Sequence, residues 1–110
     1  MKIHLIKKHA TKEEIHSMLK ALKSYIKLAV DIKREVLAGG GILHADCEAL
    51  LLKDGSKQED IWGADWLPHT KQISFEALIN IRPRQNNLSM EIKDLVIREK
   101  IEEIVRGLLE

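Results

Sequence analysis

Near residue 26 the spacing of apolar side chains changes period, and no single element can satisfy both patterns. Upstream, Ile15, Met18, Leu22 and Tyr25, with Leu19 beside them, fall at helical spacing, because residues three and four apart share one helix face. Downstream, Ile26, Leu28, Val30 and Ile32 alternate with Lys27, Asp31, Lys33 and Glu35. That is the period of a strand with one apolar and one wet face. The juxtaposition predicts an α+β fold. The helix carries its own start signal: Thr11 can accept an amide of the first turn, and Glu14 completes a capping box. A short β-like run, KIHLIK, precedes it.

The triple glycine Gly39-Gly40-Gly41 supplies the positive φ angles of a tight hairpin turn. A second strand is then expected, with Leu43, Ala45, Cys47, Ala49 and Leu51 on one face and His44, Asp46 and Glu48 on the other. Asp54-Gly55-Ser56 reads as another turn. DIWGADW reads as a strand with Trp62, Ala64 and Trp66 on one side, ended by Pro68. The cleanest alternation is QISFEALINIR, followed by the polar loop RPRQNNLS. A last helix is capped by Asp94 and carries the stripe Ile97, Ile101, Ile104, Val105 and Leu108. Glu102 and Arg106 form an i,i+4 pair in the favoured order. The expected order is β-α-β-β-β-β-α, an antiparallel four-stranded meander with two amphipathic helices packed on one face.

Composition narrows the function classes. The 110 residues imply one domain, 1–110, and 45% hydrophobic with 32% charged residues reads as a globular protein. A net charge of +1 argues against a dedicated nucleic-acid or membrane-surface binder. Cys47 is the only cysteine, so no internal disulfide and no Cys-x-x-Cys metal motif can form. With an N-terminus unlike a signal peptide and no apolar run long enough to span a bilayer, a cytoplasmic location is expected.

His44-Ala45-Asp46-Cys47-Glu48 concentrates the chemistry. On a strand, His44, Asp46 and Glu48 share a face and Cys47 turns to the core as a small buried hydrophobe. A two-residue loop at Gly39-Gly40 sets Lys33 opposite Asp46, Glu35 opposite His44 and Asp31 opposite Glu48. A four-residue loop sets Lys33 opposite Glu48 and Glu35 opposite Asp46. Either register opposes one pair of carboxylates, which a neighbouring cation or a shared proton must relieve. An ordinary solvated face is the simpler account of the same residues. Parallel side chains on a flat strand do not converge, so no metal site is expected. Glu76 joins this polar face from the QISFEALINIR strand. Arg82, Arg84, Asn86 and Asn87 are the ligand-binding candidates, because guanidinium forks suit a carboxylate or phosphate; a hydrophilic loop is the bland alternative. No Walker loop, GxGxxG fingerprint, nucleophile elbow or HExxH is present, and no cofactor is implied.

LAGGGILHADCEALLLKDGSKQEDIWGADW and INIRPRQNNLSMEI together resemble a family of small bacterial and archaeal proteins catalogued as a domain of unknown function. HADCE, DGS, WGADW and INIRP carry the likeness. The resemblance implies a stand-alone one-domain protein and brings no activity, cofactor or catalytic residue. Three readings follow from the residues. The first is a non-enzymatic binding module that presents a polar sheet face and the Arg82–Asn87 loop to a protein or small anionic ligand. The second is a small hydrolase-like enzyme. In it a carboxylate among Asp46, Glu48 and Glu76 acts as base, His44 carries the proton, and Arg82 or Arg84 neutralises an anion. The third is a structural homodimer joined through an open sheet face or edge. Convergence of these groups around a concavity separates the second from the first.

Overall fold

The computed structural model describes residues 2–110. Five antiparallel strands run β1 (His4–Ile6), β2 (Ile26–Asp31), β3 (Val36–Gly41), β4 (Ile61–Leu67) and β5 (Gln72–Ser74), in the spatial order β1-β3-β2-β4-β5. Three helices accompany them: α1 (Lys12–Leu19), α2 (His44–Lys53) and α3 (Leu95–Leu109). The fold is α+β with an antiparallel sheet, but with one more sheet strand and one more helix than the residue pattern suggests. β1 joins the sheet beside β3, by a connection through α1 and β2.

Both faces of the sheet are covered. Ile26, Leu28 and Val30 of β2 and Trp62, Ala64 and Trp66 of β4 pack with Met18 of α1 and Ile101, Ile104, Val105 and Leu109 of α3. On the other face Ala29, Val36, Ala38 and Ile61 meet Cys47 and Leu51 of α2. The expected open polar face is therefore absent. Small residues at 29 and 38 let α2 lie close to the strands on that face.

The β2–β3 hairpin turns at residues 32–35, not at the glycines. Asp31 pairs with Val36, and its Oδ1 accepts the amides of Lys33 and Arg34, each at 2.9 Å. Glu35 closes the turn at φ 59°. This side chain–backbone bonding makes Asp31 a turn residue although it ends a strand. Gly39–Gly41 instead finish β3. The ladder runs Lys27↔Gly41 and then Leu28↔Gly39, leaving Gly40 bulged at φ 104°. A Cβ at Gly40 would stand 2.9 Å from the Lys2 carbonyl oxygen, and one at Gly39 would stand 2.7 Å from Leu28 Cδ2. The glycines give α1 and the N-terminal segment room to approach. Neither expected hairpin register across residues 31–35 and 44–48 occurs.

Residues 44–53 are a helix. His44, Cys47, Glu48 and Leu51 follow i, i+3, i+4, i+7, and no β-branched residue interrupts the segment. Leu43, Ala45 and Ala49, expected beside Cys47 on a buried strand face, are exposed, whereas Cys47 itself is fully buried. Asp54-Gly55-Ser56 is the C-terminal cap of α2: Ser56 N–H donates to Leu51 O, Gly55 N–H donates to Leu52 O, and Gly55 sits at φ 107°. The long alternating run after Lys71 is a strand only at Gln72–Ser74; it then breaks into the 3-10 turn Leu78–Asn80. The first helix ends at Leu19, so Leu22 and Tyr25, expected on its apolar face, lie beyond it, while other local signals match. Thr11 and Glu14 form the capping box, Asp94 caps α3, β4 ends before Pro68, and Arg106 lies 3.0 Å from Glu102.

Gly40→Ala should destabilise the fold by about 2 kcal/mol or more, because a left-handed residue and a backbone clash coincide there. Gly107, exposed in α3 with nothing within 4 Å of an added Cβ, should behave oppositely. Gly107→Ala should stabilise by about 0.5–1 kcal/mol. Urea titration of both variants checks the pair.

Candidate functional site

The site side of the molecule is built by the irregular segment 75–93, which buried polar side chains hold in place of regular structure. Asn80 Oδ1 accepts Gly63 N–H at 2.7 Å, and its Nδ2 donates to Gly63 O at 3.0 Å, clamping the segment to the middle of β4. A Cβ at Gly63 would lie 2.5 Å from Ala77 Cβ, so only glycine leaves room for this approach. Asn87 Nδ2 donates to the carbonyls of Asn80, Ser89 and Glu91, and its Oδ1 accepts Lys93 N–H. Asn86 takes the left-handed turn at φ 59° that lets the chain double back, with Arg82 and Asn87 bridging.

Arg82 completes this framework. Its Nε donates to Ile79 O, Nη1 to Gln58 O and Gln85 Oε1, and Nη2 to Ile61 O, with Glu48 Oε2 at 3.5 Å. All five guanidinium N–H groups are engaged. The group also stacks 4.8 Å over Trp62. Burial pulls its pKa below the ordinary arginine value, against the opposing pull of Glu48.

Two adjacent clefts open on this side and share Leu78 and Ile79 as their dividing ridge. The larger, about 810 Å³, lies between α2, the turn Gln58–Asp60 and residues 78–85, with Glu48, Glu59, Ile81 and Arg84 among its walls. The smaller, about 410 Å³, opens at the start of α2 and is lined by Lys27, Leu43, His44, Asp65, Glu76 and Met90, among others. There His44 Nε2 lies 2.8 Å from Asp65 Oδ1, and Ser74 Oγ donates to Asp65 Oδ2 at 3.0 Å. The His44 and Asp65 side chains are 11% and 17% exposed. The sheet register explains the meeting: Lys27, Asp65 and Ser74 stand in one row across β2, β4 and β5. The first residue of α2 lands on that row.

The sequence candidates separate accordingly. His44 and Glu76 line the smaller cleft; Glu48, Arg82 and Arg84 line the larger one. Asp46 is exposed on α2 and lines neither. Of the four loop candidates, Arg82 and Asn87 are buried and hydrogen-bonded within the fold, and Arg84 and Asn86 are exposed. Asp65 is not among the sequence candidates, and Ser74 is expected only as a polar-face neighbour of Glu76. Their signal was their place opposite the Trp62–Trp66 face of β4, legible only with the register. Cys47 sits under α2, and its thiol lies 3.6 Å from Lys27 O. Burial raises its pKa from 9.0 to about 11, the Gly41 backbone contact opposing. It is an inert thiol at neutral pH. Among the described residues no three His, Cys, Asp or Glu side chains converge to hold a metal ion, and no helix is long and apolar enough to cross a membrane.

Residues 4–108 match the family described as a protein of unknown function (DUF5674), and the chain belongs to that family. No curated protein and no solved structure matches it.

Arg82→Met should cost at least about 3 kcal/mol, because it strands buried carbonyls and Glu48 together; thermal denaturation checks it. Cys47 generates a pH dependence. Its folded pKa, about 11, exceeds the unfolded value of 9.0. The folded state then holds the proton more tightly, so this stability is complete below pH 9 and is lost as pH rises from 9 to 11. Cys47→Ala should remove that decline, about 2–3 kcal/mol in full, when denaturation midpoints of the two proteins are compared from pH 8 to 11.

Proposed function

We propose, for this member of the DUF5674 family, a non-enzymatic binding role: the larger cleft and the apolar rim around it seat an extended segment of a partner protein. The observation that carries the reading is Leu78. It is 73% exposed and forms the ridge common to both clefts. Leu43, Ile81 and Met90 stand exposed around the same clefts, and Leu88 beyond them is 77% exposed. Large apolar side chains gathered at a concavity with polar edges are characteristic of protein-interaction surfaces.

Arg84 and Glu59 supply opposite charges at the walls of the larger cleft. Among the described residues neither forms an ion pair. They suit the polar groups that orient a segment whose apolar side chains enter beside Leu78 and Ile81. Behind them the Asn80, Arg82 and Asn87 side chains are hydrogen-bonded within the fold, so the walls are already in position and binding has little ordering cost. The Arg82–Asn87 loop thus contributes through Arg84 as a contact and through Arg82 and Asn87 as supports.

Selection from a random displayed-peptide library should enrich segments with spaced apolar residues. Leu78→Asp should lower capture of the enriched peptides at least about tenfold, the effect of losing one buried anchor, with an unchanged melting temperature. Failure to enrich, or capture indifferent to Leu78→Asp, would refute the reading. Concentration-dependent self-association abolished by Leu78→Asp would assign the surface to a second copy of the chain instead.

A further inference from the structure

We propose that the smaller cleft is a proton-transfer site, in which His44 accepts through Nδ1 the proton of a hydroxyl group on a small amphipathic ligand. The contacts of the other ring nitrogen carry the argument. Nε2 lies 2.8 Å from Asp65 Oδ1 and 3.1 Å from the Ala64 carbonyl oxygen. Both neighbours are acceptors, so Nε2 bears the hydrogen and donates. The neutral ring then has its lone pair on Nδ1, which has no hydrogen-bond partner among the described residues. Asp65 is held from its other side by Ser74 Oγ at 3.0 Å, so the carboxylate that fixes the ring is itself fixed. A carboxylate behind an imidazole, with the free nitrogen left for a ligand in a concavity, is the arrangement a general base requires.

The remaining walls define the ligand. Lys27 stands opposite Asp65 in the β2–β4 ladder and lines the same cleft. It is the cation available to an oxygen that has lost its proton. Glu76 is the other charged residue of the wall. Leu43, Ala77, Leu78 and Met90 make the rest of the surface apolar. A volume of about 410 Å³ suits a small molecule with an apolar body and one hydroxyl group. In the step itself the ligand O–H bond breaks, its electron pair stays on oxygen, and an N–H bond forms at Nδ1. The imidazolium is then paired with Asp65 and the oxyanion with Lys27, and no other reactant takes part. The Ser74 hydroxyl is turned to Asp65 and the Cys47 thiol is buried, so neither is placed to attack a ligand.

The proton-transfer role rests on the His44–Asp65 geometry and is tested apart from the peptide-binding reading, with which it shares the apolar walls Leu43, Leu78 and Met90. The probe is 4-nitrophenol, a small aromatic hydroxyl acid whose ionised form is coloured. Wild-type protein should bind it and shift its ionisation toward nitrophenolate about tenfold, one unit of pKa. His44→Gln should abolish the shift, and Lys27→Met should weaken it. Long-range ¹⁵N NMR of the wild type supplies a measurement that needs no variant: neutral His44 should carry its hydrogen on Nε2. Absence of binding, bound probe with unchanged ionisation, an equal shift in His44→Gln, or a neutral His44 protonated on Nδ1 would each overturn the proposal.

Discussion

The site side of this protein depends on the fit of Asn80 against Gly63. The glycine lacks the Cβ that would strike Ala77, and the asparagine amide then meets both backbone polar groups of the same residue. A side-chain amide has the donor and acceptor of a peptide group, so Asn80 replaces a neighbouring strand over one residue of β4. The segment that follows β5 can therefore leave the sheet without orphaning β4. It crosses the face beside α2 and creates the walls of both clefts.

Once that segment is anchored, its own backbone must be satisfied without helix or sheet. Asn87 binds three carbonyls and one amide, and Arg82 binds three carbonyls and two side chains. These residues look like ligand-binding groups because they are strong hydrogen-bonding groups. Here their partners are intramolecular. What remains outward are Arg84, Glu59 and apolar side chains around Leu78, the composition of a recognition surface on a stiff support.

The smaller cleft has a different origin. A row of polar residues on the sheet, Lys27, Asp65 and Ser74, lies where α2 begins. The body of α2 covers the small and apolar residues next to that row, Ala29, Ala38 and Ile61. Had α2 been a strand, His44 would have been one more solvated side chain. As the first residue of a helix it is delivered to Asp65, and Cys47 and Leu51 of the same helix face hold it there by burial.

The sequence by itself determined the local elements whose signals are local. The Thr11–Glu14 capping box, the Asp94 cap, the apolar stripe of α3 and the Trp62–Ala64–Trp66 face of β4 all lie within a few residues, and each appears as read. Family membership was legible too, in HADCE, WGADW and INIRP. Tertiary structure decided between two readings of residues 44–53, the alternation from Leu43 to Leu51 and the helical spacing of His44, Cys47, Glu48 and Leu51, by presenting a sheet face to be covered. It decided that three glycines serve close approach, not a turn, because that depends on what packs against them. It also decided which polar residues are buried. Burial of Asn80, Arg82 and Asn87 follows from unpaired backbone groups elsewhere in the fold, and no spacing along the chain records where those groups will be.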